Sequence, residues 1–235
     1  MRFWIKVIAL ALAIAVPASF AAAGQISQIK TFSGIPNFSS SLVFNKFDDN
    51  GGLCSLNWIK VILTLNVDGG QIVLDNDASS AASGIFEFGG KAGITSATVP
   101  MLNTLLQPVV GTVSAAHSGN FSLDPNVGDG PGDYSPLPPD GMLYVGGPET
   151  DSDWGYIAST FFPQYTGTGT FTVNIDTNQW QTYGSVSGIE MAITPVSAAG
   201  SLEIIYDYTC VPEPSSLMAL AGGLGLLSGL IRRRK

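Results

Sequence analysis

Between Gly24 and Val211 the chain has no arginine and only four lysines, Lys30, Lys46, Lys60 and Lys91. Against them stand 17 acids, a formal charge of −13 for this body. Nucleic acids need clustered cations to meet their phosphates, so they are excluded as partners, and anionic lipid is disfavoured for the same reason. Such a surface stays soluble and can take divalent cations or basic partners. Histidine occurs once, as His117. A Ser-His-acid triad would have to use it, and no Gly-x-Ser-x-Gly elbow accompanies it. One histidine and two isolated cysteines, Cys54 and Cys210, are too few for a zinc site. Within Ala115-Ala116-His117-Ser118-Gly119 the histidine reads as an exposed loop residue.

Long apolar runs are missing from the body and confined to the ends. Residues 1–23 carry Arg2 and Lys6, ten apolar residues from Val7 to Val16, and Ala21-Ala22-Ala23. That is the order of a secretory signal peptide, with cleavage expected after Ala23 or, failing that, after Ala21. At the other end stands VPEPSSLMALAGGLGLLSGLIRRRK, residues 211–235. Its uncharged run of 15 residues, 217–231, falls short of the about 20 that usually span a bilayer. Four glycines let another helix approach closely in lipid. Arg232, Arg233, Arg234 and Lys235 favour the cytoplasmic side, which puts the body on the other. Pro212 and Pro214 keep the junction extended and exposed.

Pro212, Glu213 and Pro214, followed by a short glycine-rich apolar helix and a basic end, resemble the PEP-CTERM sorting signal of Gram-negative bacteria. The resemblance implies recognition by an exosortase, an inner-membrane cysteine transpeptidase that removes the helix and basic tail. It thus implies transient residence in the inner membrane and delivery to the cell surface or extracellular matrix. Signal peptidase is the other processing partner.

The intervening body, residues 24–210, has the length of one domain and enough chain to bury a core. No window shows a sustained charged helical face. Strand signals dominate. Residues 57–67 (NWIKVILTLNV) place Trp58, Lys60, Ile62, Thr64 and Asn66 on one face and Ile59, Val61, Leu63, Leu65 and Val67 on the other, which should meet the core. Asp68-Gly69-Gly70 then suggests a hairpin into residues 71–75. Further strands are expected at 26–32, 42–47, 85–88, 94–99, 109–113, 120–123, 142–145, 157–162, 169–175, 186–193 and 201–208. Many short strands between turn residues indicate an antiparallel β-sandwich, with a jelly roll as the alternative. The all-β body is therefore expected between an N-terminal signal helix and a C-terminal short transmembrane helix. In an exported chain Cys54 and Cys210 should pair. Such a bridge fastens the last strand to an early one and leaves the sorting segment free.

Residues 124–153 break the strand pattern with seven acids, six prolines, six glycines and no cation. This reads as a surface loop or a segment ordered by a ligand. Asp124, Asn126, Asp129 and Asp133 offer oxygens at short intervals among glycines, so calcium is the candidate cation. The spacing is not that of an EF-hand. Glu87, Glu190 and Glu203 fall on strands as lone outward carboxylates, not as a glycosidase pair. Trp154, Tyr156 and Trp180 flank turns and could stack on sugars. Phe44-Asn45-Lys46-Phe47-Asp48, the long strand after it, and Tyr206-Asp207-Tyr208-Thr209 running into the sorting segment resemble the choice-of-anchor E domain family, exported domains found with interchangeable surface anchors. The expectation from the whole sequence is a non-enzymatic surface or exopolysaccharide-matrix protein. The alternatives are a polysaccharide-binding module or adhesin and, further off, a surface glycoside hydrolase.

Overall fold

The computed structural model describes residues 22–128, 130–184 and 187–211. Residues 1–21 of the expected signal peptide 1–23, Asp129, and residues 212–235 of the sorting segment with Pro212, Glu213 and Pro214 lie outside the described residues, as do the expected terminal helices. Among the described residues eleven strands run in order: β1 Ala22–Gly34, β2 Phe38–Asn45, β3 Cys54–Asp68, β4 Gln71–Asn76, β5 Ala82–Thr95, β6 Val113–Leu123, β7 Gly141–Val145, β8 Glu149–Tyr156, β9 Thr170–Tyr183, β10 Ile189–Thr194 and β11 Ser197–Cys210. One short helix, α1 Phe162–Tyr165, follows a 3-10 turn at Ser159–Phe161. Among the described residues no helix is long and apolar enough to cross a membrane.

The strands form three antiparallel sheets, ordered β1-β11-β3-β8, β2-β9-β5-β6 and β10-β4-β7. The architecture is an all-β sandwich. Alternation explains its core. Ile59, Val61, Leu63, Leu65 and Val67 of β3 are all buried, with Leu202, Ile204 and Tyr206 of β11 beside them. The opposing layer supplies Phe171, Val173 and Ile175 of β9 and Phe86 and Phe88 of β5. Phe44 stacks on Phe171 at 5.7 Å, and Tyr165 of α1 meets the same ring edge-on at 5.2 Å. The third sheet covers the Phe86–Phe88 end of β5, where Tyr144 of β7 lies 5.0 Å from Phe86 and 6.0 Å from Phe88.

Several sequence expectations are corrected. Asp68-Gly69-Gly70 does not close a hairpin, because β3 and β4 lie in different sheets. Gly70, at φ 77°, turns the chain from one sheet to the next, and a Cβ there would come within 2.8 Å of Val196. The expected strands at 85–88 and 94–99 are one strand, β5, up to Thr95. Residues 157–162 form the 3-10 turn and the start of α1, where a proline early in the helix suits its geometry. Residues 124–153 are not one loop: they contain β7 and most of β8.

The polypeptide closes where the sorting segment begins. β1 pairs with β11 from Ala22↔Cys210 to Gly34↔Ala198. Cys54 and Cys210 are register partners and form a disulfide across 156 residues. Val211 N–H still donates to Leu53 O at 2.8 Å. The first and last strands of the body therefore lie side by side, with both their chain ends at the disulfide-clamped end of one sheet.

Candidate functional site

Two surface regions concentrate polar and aromatic chemistry. The first is the outer face of the β1-β11-β3-β8 sheet. Pairing sets Lys60 opposite Tyr156 and Ile62 opposite Trp154, so alternate residues of β3 and β8 share this face. Tyr156 makes edge contacts with both Trp58 and Trp154, each at 5.6 Å between ring centroids. The Lys60 ammonium sits 4.2 Å above the Trp154 ring, a cation–π contact. Trp154 is 54% and Tyr156 45% exposed.

A register shift beside Asp207 leaves Asn57 as an extra residue in β3. Such a bulge turns two consecutive side chains to one face. Asn57 accordingly donates to Asp207 Oδ1 at 2.7 Å and to Thr209 Oγ1 at 2.9 Å, next to Trp58. Gln25 donates to the other Asp207 oxygen at 3.0 Å, and Ser27 donates to Glu203 at 2.6 Å. The aromatic row is thus bordered by oriented carboxylates, amides and hydroxyls.

Trp180 is not part of this face. It lies on β9 opposite Gly89, on the outer side of the other layer, with Lys91 Nζ 4.1 Å above its ring. Expected beside a turn, it sits instead within β9.

The second region is the acidic corner under the β10-β4-β7 sheet. Asp75, Asp133 and Glu190 each bring a carboxylate oxygen within 4.8 Å of the others. Asp77 lies against Glu190. Partial burial pushes the Asp77 carboxyl above its ordinary range, the Glu190 carboxylate adds to this, the Asn126 hydrogen bond opposes it, and Asp133 adds a little more. These carboxylates anchor the loop that crosses them. Glu190 accepts from Gly132 N–H at 2.8 and 2.9 Å, Asp75 from Ser135 N–H at 2.7 Å, and Asp77 from Asn126 Nδ2 at 2.9 Å. Buried Asp140 accepts from Val127 N–H at 2.7 Å. Buried Asn76 donates to Ser80 O and Asp124 O.

Of the calcium candidates, only Asp133 enters this carboxylate group; Asp124 contributes backbone contacts, Asn126 supports Asp77, and Asp129 lies outside the described residues. Asp75, Asp133 and Glu190 supply three carboxylates of the kind a hard cation binds, part of the roughly six to eight oxygens it takes. Glu190 is therefore not a lone outward carboxylate.

His117 is also relocated. It lies within β6 opposite Phe88, is 2% exposed, and has its ring 4.9 Å from Phe88 and 6.3 Å from Tyr144. Among the described residues its Nε2 has no hydrogen-bond partner. It is a core residue packed against Phe88 and Tyr144.

Residues 211–235 match the model of the PEP-CTERM protein-sorting motif. The motif implies an exported, exosortase-processed protein of the cell surface with a transient membrane stage. No curated protein matches the chain. Among solved structures, the chain is similar to one from infectious bursal disease virus strain Gx, at 8% identity over 85% of this chain and 43% of that chain, with a TM-score of 0.17. T=1 particles derived from the same virus give 11% identity, 82% and 42% coverage, and a TM-score of 0.13. The chain spans less than half of those viral chains, and TM-scores this low say nothing about its fold or function.

Proposed function

We propose that the chain is a non-enzymatic protein displayed on the surface, or in the exopolysaccharide matrix, of a Gram-negative bacterium. Its body, residues 24–210, is the cargo and residues 211–235 are the address. The observation that carries this reading is the junction. The Cys54–Cys210 bridge and the Val211–Leu53 hydrogen bond complete the sheet immediately before Pro212. The address can then be cut without unpicking the cargo. The non-enzymatic part is supported by His117, which is enclosed in the core, and by the acidic corner, whose carboxylates hold backbone N–H groups of the crossing loop. The long β3 after Phe47-Asp48 and the tyrosine-bearing β11 support placing the body with the choice-of-anchor E domains.

Changing Pro212, Glu213 and Pro214 together to alanine is the test. The expected outcome is a larger, membrane-held form in place of the processed protein. Unchanged size and release would overturn the reading.

A further inference from the structure

Exposed aromatic residues scattered singly need no explanation. Trp58, Tyr156 and Trp154 are not scattered: they form a continuous row, with half-buried Ile62 opposite Trp154 and exposed Ile29 on the same face. Leaving so much apolar surface in water forgoes about 25 cal/mol for each Å² that packing would bury. The row is also held in place. Tyr156 is wedged edge-on between two indoles, Lys60 caps Trp154, and the bulge at Asn57 orients the polar border. Rigid rings lose little entropy when a ligand settles on them.

We propose that this face binds an uncharged polysaccharide, with pyranose rings laid on Trp154, Tyr156 and Trp58 and hydroxyl groups reaching Glu203, Asp207 and Asn57. The chemistry selects this occupant. A sugar offers apolar C–H faces and a rim of hydroxyls, matching rings bordered by hydrogen-bonding groups. A polyanion would meet a body of formal charge −13. A second copy would bring two such bodies together. A protein partner would want a continuous apolar centre, whereas here Lys60, Thr64, Glu203 and Asp207 interrupt the apolar positions. This inference takes from the proposed function only the location outside the cell.

The experiment uses the purified full chain in co-sedimentation with insoluble cellulose, chitin and mannan, and in affinity gels with soluble starch and polygalacturonate. Retention is expected on at least one neutral polymer and not on polygalacturonate. Trp154→Ala and Tyr156→Ala should each weaken retention about tenfold, equivalent to about 1.4 kcal/mol. Trp180→Ala should leave it unchanged. Thermal unfolding of each variant checks that these exposed changes spare the fold. No retention on any neutral polymer, retention on polygalacturonate alone, equal retention by Trp154→Ala, or a self-association abolished by Trp154→Ala would each overturn the proposal. The alanine replacement of Pro212, Glu213 and Pro214 reads sorting alone, so failure of one reading is separable from failure of the other.

Discussion

The two layers of the sandwich share one core and differ on their outer faces. Each outer face carries a tryptophan beneath a lysine, Trp154 under Lys60 and Trp180 under Lys91, at 4.2 and 4.1 Å. Trp154 continues through Tyr156 to Trp58, but Trp180 has no ring neighbour among the described residues. Further along β9 the same outer face carries small polar pairs such as Ser41 with Asn174 and Ser39 with Asp176. The β1-β11-β3-β8 layer also holds the disulfide, both chain ends of the body and the junction to the sorting segment. Inward positions answer to the core alone, whereas outward positions are free to specialise. Here one outer face has been given a row of rings and a clamp, while the other carries single apolar side chains such as Val43 and Ile85 among polar ones.

The clamp should give the largest effect. Changing Cys54 and Cys210 together to serine is expected to destabilise the body by about 3 kcal/mol or more, since the closed loop is long. Because the bridge lies in one layer, amide exchange should accelerate first at the 54–56 and 208–210 ends of β3 and β11, while β5 and β9 stay protected. Uniform acceleration would erase the distinction between layers.

The ring substitutions come next. Trp154→Ala should lower neutral-glycan retention about tenfold, with Trp180→Ala as the internal control; equal losses would make the two faces equivalent.

A smaller effect is expected from β8, the edge strand that carries Trp154. Asp151 and Asp153 occupy positions facing inward at this edge and accept Ser114 N–H at 2.8 Å and Gly111 N–H at 2.6 Å. Inward charges at a sheet edge guard it against pairing with other chains. Asp153→Ala should cost about 1–2 kcal/mol and weaken glycan retention several-fold by loosening Trp154. Chemical denaturation and the sedimentation assay measure the two effects separately.

The smallest effect lies at the acidic corner, away from both faces. Asp77 holds its proton above the usual carboxylate range because of partial burial and then Glu190. Its favourable contribution is present below the unfolded pKa and is lost as pH rises through the raised value. Asp77→Asn keeps an acceptor for Asn126 and removes one charge facing Glu190. In chelator-containing buffer its unfolding midpoint should exceed the parent's at pH 7, and the difference should shrink as the pH falls below the ordinary carboxylate range. A midpoint below the parent's at pH 7 would contradict this account of the corner.

How much of this was legible in the sequence varied by element, for physical reasons. The alternation of β3 announced its buried face directly, and export chemistry sufficed to pair Cys54 with Cys210. β8 was hidden because Glu149-Thr-Asp-Ser-Asp lacks an apolar face. Its inward aspartates find backbone N–H partners on a neighbouring segment, which no local pattern encodes. His117 looked like a turn residue among small neighbours, but it pairs with Phe88, and its small neighbours Ala116 and Ala115 pair with Gly89 and Gly90 on β5. Asp68-Gly69-Gly70 signalled a reversal, and the same positive φ values serve a change of sheet. Asp133 was visible as part of an acidic run, whereas Asp75, Asp77 and Glu190 reach it only through the fold. Trp154 and Tyr156 were visible as candidates. Their union with Trp58, and their separation from Trp180, depended on strand order.

The most direct test is a titration followed through the indole N–H resonances of Trp58, Trp154 and Trp180, using the soluble hexasaccharides of cellulose, chitin, mannan and starch as ligands. The account predicts that at least one of these sugars shifts Trp58 and Trp154 in a saturable way while Trp180 stays still. Movement of Trp180 without the other two, or no movement of any indole at saturating sugar, would contradict it.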